Sequence, residues 1–150
     1  MEFTNQVTPD DPEQIKALME PGPDGPIFMV NLLKFKDKAE YEDGRDTDLS
    51  GREAYAIYGQ AVSEILKDFG GKVVFMADVT HLSLGKVDEL WDEVAIAMYP
   101  KRANMVQMSM SPKWQAASVH RTAGLKGQLN IETEIPGAMH DRDWAKALLI

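Results

Sequence analysis

The sequence predicts an α+β domain, in which two helices cover one face of a four-stranded antiparallel sheet. Apolar runs typical of strands occur four times along the chain, and Gly or Pro residues separate them from their neighbours. Helix-capping signals precede the segments between these runs. The 150 residues, 44% of them hydrophobic, suffice for one compact core without a metal or disulfide.

The N-terminal segment, residues 1–25, is predicted to hold one short helix and a linker. Asp11 and Pro12 form an N-cap and a first helical position, and the helix should reach about Met19. A stretch rich in Pro and Gly then ends it. The nine apolar-rich residues from Ile27 to Phe35 follow and predict a strand buried on both faces.

Residues 36–49 are predicted to be an acidic insertion, a solvated loop or flap. We expect this segment to be the most mobile ordered part of the chain, so deleting residues 39–45 should leave the melting temperature nearly unchanged. Ser50 and Glu53 then have the spacing of a capping box. The apolar stripe of the helix that follows is Ala54, Tyr58, Ala61, Ile65 and Phe69.

The rest of the chain predicts three more strands and a pair of helices. Strands are expected over residues 72–84, 90–99 and 125–135, and helices over 101–110 and 111–122. The order βαββαβ is that of the ferredoxin-like split unit, which we place over residues 26–135. Residues 136–150 are left as a C-terminal tail.

The predicted strands are apolar on both sides. In the first strand Ile27 and Met29 alternate with Phe28 and Val30, and the second strand shows a similar pattern in Val73, Phe75, Ala77 and Val79. Helices cover only one face of such a sheet, so the other face needs a partner. We expect a second copy of the chain to pack there, sheet against sheet, which makes the protein a homodimer.

Composition excludes several classes of function. The chain has no cysteine, which rules out disulfides, thiolate metal sites and a cysteine nucleophile. A formal net charge of −8 argues against nucleic acid or an anionic membrane as a partner. No apolar run has the length of a membrane span, and the first ten residues lack the pattern of a signal peptide. These observations predict a cytoplasmic location.

Five short motifs, in order along the chain, resemble the longer members of the domain of unknown function 1330 family. They are residues 26–35, the run from Gly51 to Tyr55 with Tyr58 and Gly59, residues 91–94, residues 99–103 and residues 120–125. The resemblance covers about residues 26–134. It implies a dimeric α/β barrel fold, in a superfamily that includes cofactor-free monooxygenases, lactone isomerases, polyketide cyclases and haem-handling proteins. Such a fold does not choose among these activities.

Three polar residues are the first candidates for a site. Asn31 is an amide within an apolar strand and either lines a cavity or bonds to neighbouring backbone. His120 is either an acid–base group near neutral pH or a satisfied histidine at a helix end. Arg121 either binds a carboxylate or phosphate or pairs with a surface acid.

Aromatic and further side chains complete the candidate set. Tyr55 and Tyr58 share one helical face, where their hydroxyls either bind a carbonyl or lie at the margin of the core. Lys34, Trp91 and Met98 are further substrate-binding candidates, and the last two equally fit a role in packing. No metal, phosphate-loop or nucleophile motif is recognisable, so neither a metal nor an organic cofactor is expected.

The predicted function is therefore binding or transformation of a small, mostly apolar carbonyl or carboxylate compound. In the enzymatic version, His120 moves a proton, Asn31 and a tyrosine hold an oxygen, and Arg121 binds an anionic group. These residues should then converge on one cavity. One alternative is a non-catalytic dimer that binds a ligand or partner. Another is a haem-binding or haem-degrading protein with His120 on the iron and Asn31 opposite.

Overall fold

The protein is described here by a computed structural model covering residues 10–149. Residues 1–9 and Ile150, which belong to the predicted N-terminal segment and tail, lie outside the described residues. The elements are α1 (Pro12–Leu18), β1 (Ile27–Phe35), α2 (Gly51–Asp68), β2 (Lys72–Asp78), β3 (Glu93–Tyr99), α3 (Arg102–Ser109), α4 (Pro112–Gly124), β4 (Leu125–Thr133), a 3-10 turn (Gly137–Met139) and α5 (Asp143–Leu148).

The four strands form one sheet in the order β2-β3-β1-β4, and all neighbours are antiparallel. Helices α2 and α4 pack against one face of this sheet, which we call the helix face. The opposite face is called the open face. This arrangement is the ferredoxin-like βαββαβ fold, so the predicted fold class is confirmed.

The predicted helix starts are confirmed at the level of single hydrogen bonds. The Asp11 carboxylate accepts from the Glu13 amide at 2.9 Å at the start of α1. At α2 the Ser50 hydroxyl accepts from the Glu53 amide at 3.0 Å, and the Glu53 carboxylate accepts from the Ser50 amide at 2.6 Å. Each cap satisfies backbone donors that a helix start leaves unpaired.

Strands β2 and β3 are shorter than predicted. Strand β2 ends at Asp78 and β3 begins at Glu93, where 84 and 90 were expected. The amide of Val79 still donates to the carbonyl of Asp92 at 2.9 Å, but the regular pairing stops there. Leu82 and Leu84 gave residues 79–84 the apolar pattern of a strand, yet both side chains are exposed.

A β-bulge corrects the predicted alternation along β2. Val73 lies opposite Ala97 and Phe75 lies opposite Ile96, with a shift of register between them. In a regular strand, residues two positions apart lie on the same face. The extra residue of the bulge instead places Val73 on the helix face and Phe75 on the open face. As a result, the exposed side chain of Phe75 belongs to the open face.

The predicted insertion is anchored to the domain. Residues 36–49 contain neither helix nor strand, but Ala39 and Tyr41 are only 3% and 9% exposed and pack with Ala54 and Ala123. The Glu40 amide also donates to the Ala123 carbonyl at 3.0 Å. Deletion of residues 39–45 would expose this cluster, so the structure predicts a lower melting temperature where the sequence predicted an unchanged one. The mobility of the segment stays a prediction.

Helices α2 and α4 approach each other closely where a glycine of each meets the other. The Gly124 carbonyl accepts from the Lys36 amide at 2.8 Å, and the Gly51 amide donates to the Lys36 carbonyl at 3.1 Å. A Cβ atom on Gly51 would lie 2.6 Å from the carbonyl oxygen of Gly124. Backbone lies on both sides of this contact, so a side chain there would force the two helices apart.

This contact predicts opposite effects for two alanine substitutions in α2. Gly51→Ala should destabilise the fold by about 1–3 kcal/mol, the usual range for overpacking. Gly59→Ala, in the same helix with nothing within 4 Å of a new Cβ, should stabilise it by roughly 0.5–1 kcal/mol. Urea unfolding of both variants measures the difference. Equal effects would contradict the close packing of α2 on α4.

Candidate functional site

A cavity of about 450 Å³ lies between the helix face of the sheet and helices α1 to α4. A second cavity of about 400 Å³ adjoins it on the side of β4, and the two share part of their walls. The apolar wall of the larger cavity includes Met29, Val62, Leu66, Met105, Met108 and Trp114. The shared wall consists of Leu18, Met29, Met105, Arg121, Gln128 and Asn130.

Arg121 projects from α4 at the boundary of the two cavities and is only 8% exposed. Its Nη2 donates to Oε1 of Gln128 in β4. The fully buried Nη1 has no hydrogen-bond partner within residues 10–149. Burial lowers the pKa of this guanidinium, although an arginine keeps its charge in proteins. The cavity wall therefore carries a cation with spare donors.

A chain of amides positions Arg121. The Asn31 amide nitrogen donates to the carbonyls of Met29 and Ala95, at 3.1 and 3.2 Å, which leaves its Oδ1 as the acceptor. Nε2 of Gln128 donates to this Oδ1 at 2.7 Å, so Oε1 of Gln128 faces Arg121. Each amide orientation follows from the one before it. Asn31 thus positions Gln128, and Gln128 holds the guanidinium.

Three tyrosines add hydroxyl groups to the wall of the larger cavity. The Tyr58 hydroxyl accepts from Nε1 of Trp114 at 3.2 Å, which leaves its own proton free to be donated. The hydroxyls of Tyr55 and Tyr99 have no hydrogen-bond partner in the described part of the chain. Burial raises the pKa of all three phenols, so they are neutral donors at physiological pH.

Helix α1 closes both cavities with Leu18, and it is tied down by Arg102. Nη1 of Arg102 donates to the carbonyls of Ala17 and Glu20, at 2.9 and 3.3 Å. The other side of the same guanidinium makes two bonds to the Glu132 carboxylate, at 2.7 and 2.8 Å. Arg102 therefore joins the end of α1 to the edge strand β4.

The predicted site comes together only in part. Asn31, Tyr55, Tyr58 and Arg121 all line the larger cavity, as expected. His120 does not: its Nδ1 is 2.7 Å from the Tyr41 hydroxyl of the insertion, outside both cavities. Neighbouring residues of a helix point about 100° apart, so Arg121 and His120 face different surroundings. The expected placement of His120 at the cavity is corrected, while its role and the haem alternative stay predictions.

The other three binding candidates also lie away from the cavities. Lys34 and Met98 are on the open face of the sheet, where Nζ of Lys34 lies 3.1 Å from the Asp92 carboxylate. Met98 is buried opposite Phe28 in the neighbouring strand. Trp91 is buried before β3 and does not line either cavity. Their expected placement at one site with Arg121 is therefore corrected, while their substrate-binding role stays a prediction.

Sequence reasoning missed Gln128, Tyr99 and the closing role of α1. Gln128 had a visible signal, because it is an amide on β4 with apolar Leu129 and Leu125 nearby, as Asn31 is on β1. Nothing in the sequence shows that two amides 97 positions apart bond to each other. The part of the chain that the structure describes holds no cluster of three side chains suited to a metal ion, and no helix there could cross a membrane.

A family model, described as a domain of unknown function (DUF1330), matches residues 45–133. The chain belongs to this family. The match begins later than the resemblance, which was placed from residue 26, but a similar solved structure covers most of the chain. This is a protein of unknown function from Rhodopseudomonas palustris, 32% identical, with a TM-score of 0.76 over 88% of this chain and 98% of that one.

Two further solved structures are similar to this DUF1330 protein. The methylated form of the Rhodopseudomonas palustris protein is 35% identical, with a TM-score of 0.77 over 89% of this chain and 98% of that one. A putative antibiotic biosynthesis monooxygenase from Caulobacter crescentus is 11% identical, with a TM-score of 0.50 over 75% and 91%. The latter likeness shows the fold alone. No curated protein matches the chain.

The His120–Tyr41 contact predicts a dependence of stability on pH. Burial, and then the charge of Arg45, lower the pKa of His120 below its usual 6.5. Below pH 6.5 the unfolded chain then binds more protons than the folded one, so stability falls as the pH drops towards the lowered pKa. Melting temperatures of the wild type should fall faster over this range than those of His120→Gln.

The matched control is His81→Gln, at an exposed histidine in the connection between β2 and β3. This variant should follow the wild type across the same pH range. If His120→Gln and the wild type ran parallel, the proposed coupling of His120 protonation to folding would be refuted.

Proposed function

We propose that the protein is a homodimer that binds a small, mostly apolar carbonyl or carboxylate compound in the cavity on the helix face of each subunit. The observation that carries this proposal is the buried Nη1 of Arg121, which has no hydrogen-bond partner within residues 10–149, on a guanidinium in the wall of a mostly apolar cavity of about 450 Å³. Binding sites for small molecules typically combine such a volume with a few polar groups that fix the orientation of the ligand.

The polar groups of the wall favour a ligand that accepts hydrogen bonds. Nη1 of Arg121 and the hydroxyls of Tyr55 and Tyr99 are donors without protein partners in the described residues. A carbonyl or carboxylate oxygen accepts from such donors, and the methionines and Trp114 supply apolar contact for the remainder of the molecule. A ligand held in this way needs neither a metal nor an organic cofactor.

The same groups favour binding over acid–base turnover. Phenols with raised pKa values donate protons or hydrogen bonds but do not remove a proton near neutral pH. His120, which was expected to move the proton, lies at the insertion instead. A cofactor-independent enzyme at this site would have to use Tyr55 or Tyr58 as its acid and obtain its base from the ligand.

The open face of the sheet supports the homodimer. Its central positions are apolar on all four strands. They include Phe75 on the edge strand β2 and Ile131, which is 45% exposed, on the other edge strand, β4. The half-buried members between them are Val30, Leu32, Val94, Ile96 and Leu129. A second copy offers an equal apolar surface, so pairing of two open faces removes both from water.

Two isoleucine substitutions test the dimer. Ile131→Lys places a charge on the open face and should convert the dimer to a monomer, because the lysine would have to lose its hydration in the interface. Ile57→Lys, at an α2 isoleucine that is 40% exposed, should leave the dimer intact. Light scattering after gel filtration measures both masses. A monomeric wild type, or two dimeric variants, would contradict the proposed interface.

A filled cavity tests ligand binding. Ala97 lies on β3 and lines the cavity, so Ala97→Phe should occupy part of the space and abolish stabilisation by ligands. Ala56→Phe, on the exposed side of α2, should respond as the wild type does. Thermal-shift assays with a panel of aliphatic and aromatic acids and ketones provide the measurement. A wild type that no compound stabilises, or an Ala97→Phe variant that still responds, would contradict the proposal.

A further inference from the structure

We infer that the compound in this cavity is a monocarboxylate whose carboxylate accepts hydrogen bonds from the guanidinium of Arg121, and that neutral carbonyl compounds, dianions and phosphate esters are discriminated against. This inference rests on the proposed function and specifies its ligand class. Three features of the cavity support it. Arg121 has no counter-charge among the described residues, the nearby carboxylates already pair with other arginines, and the wall carries further hydrogen-bond donors.

The first feature is the charge itself. Arg121 is the only charged side chain among the described residues that line the larger cavity. A buried guanidinium without a counter-charge is costly, because it loses hydration without a compensating ion pair. Burial lowers its pKa, which is the expected sign of this cost. A ligand with a negative charge next to Arg121 offsets it, whereas a neutral carbonyl does not.

The second feature is that the acids on the same face of the sheet are already paired. Glu132, which lines the second cavity, is held by two bonds to Arg102. Glu93, at the other end of the sheet, lies 3.2 Å from Nη1 of Arg52. No carboxylate of residues 10–149 makes a salt bridge with Arg121. Within the described residues Arg121 therefore lacks a counter-charge, and an anionic ligand would supply it.

The third feature is the geometry around the guanidinium. Gln128 occupies Nη2 and is itself held by Asn31, so the fork of Arg121 is fixed before a ligand arrives. The free hydroxyls of Tyr55 and Tyr99 line the same cavity and stay neutral, because burial raises their pKa. A planar carboxylate suits a fixed arginine fork and leaves lone pairs for a phenol.

The single positive charge of Arg121 in the cavity wall favours a ligand with a single negative charge. A monocarboxylate neutralises Arg121 and leaves the cavity with no net charge. A dicarboxylate or a phosphate ester would bring a second negative charge into a wall that holds no second free cation among the described residues. That surplus charge would have to be desolvated without a partner, which disfavours binding.

Matched acids and amides test this inference on the unmodified protein. The probes are hexanoate, octanoate, 3-phenylpropanoate and cyclohexanecarboxylate, each compared with its primary amide by calorimetry at pH 7. Each acid that binds should do so about 10- to 100-fold more tightly than its amide, as a charge-assisted hydrogen bond predicts. Phenylsuccinate and phenyl phosphate should bind at least about 10-fold more weakly than 3-phenylpropanoate.

A pair of arginine variants assigns the preference to one side chain. Arg121→Met keeps a long apolar side chain and should bring the affinities of acid and amide to within about threefold, while the amide still binds. Arg142→Met removes the same net charge at an exposed arginine outside both cavities and should keep the preference of the wild type. Circular dichroism of each variant verifies that it is folded, and the wild-type comparison decides the matter if Arg121→Met does not fold.

The outcomes separate this inference from the proposed function. If amides bind as tightly as acids, or if the dianions bind more tightly than the monoacids, the monocarboxylate inference is overturned while ligand binding stands. If Arg142→Met loses the preference as Arg121→Met does, the assignment to Arg121 is overturned. If no acid and no amide binds the wild type at millimolar concentration, the proposed function itself is overturned.

Discussion

The hydrogen-bond chain from Asn31 through Gln128 to Arg121 determines what the cavity can do. It begins at two backbone carbonyls of the sheet, crosses from β1 to β4, and ends at a cation carried by α4. Every link is directional, because an amide that donates at one end must accept at the other. The sheet therefore determines the position of the Arg121 guanidinium. The apolar wall around this charge strengthens its interaction with a ligand.

The packing of α2 on α4 sets the spacing of two helices that line the cavity. Backbone contact at Gly51 and Gly124 holds one end of the helix pair together, while Tyr58 of α2 and Trp114 of α4 meet through a hydrogen bond further along. The larger cavity is lined by Tyr58 and Trp114, on the side of the helix pair away from the glycine contact.

Local signals in the sequence predicted most of the fold. The caps at Asp11 and Ser50 act over two or three residues, so donor and acceptor lie close together in the sequence. The bulge in β2 was not predictable in the same way, because it arises from pairing with β3. The buried part of the acidic insertion depends on Ala54 and Ala123, which are distant in the chain.

The candidate site was predicted with two errors of geometry. Asn31 and Lys34 are three positions apart on one strand and so point to opposite faces, yet both were assigned to one ligand. His120 and Arg121 are adjacent on one helix and cannot face the same cavity equally. The sequence shows that the two residues of each pair cannot both face the cavity, but it does not show which one does. For the second pair, the packing of α4 on the sheet decides that Arg121 is the buried residue.

Helix α1 has seven residues, too few for an isolated helix to persist in water. It owes its order to Leu18 in the walls of both cavities and to the Arg102 bonds at its C-terminal end. Occupation of the cavity and the coil-to-helix transition of residues 12–18 are consequently linked equilibria. A bound molecule that contacts Leu18 slows the amide hydrogen exchange of these two turns, and any loss of helix there lowers the affinity by the same free energy.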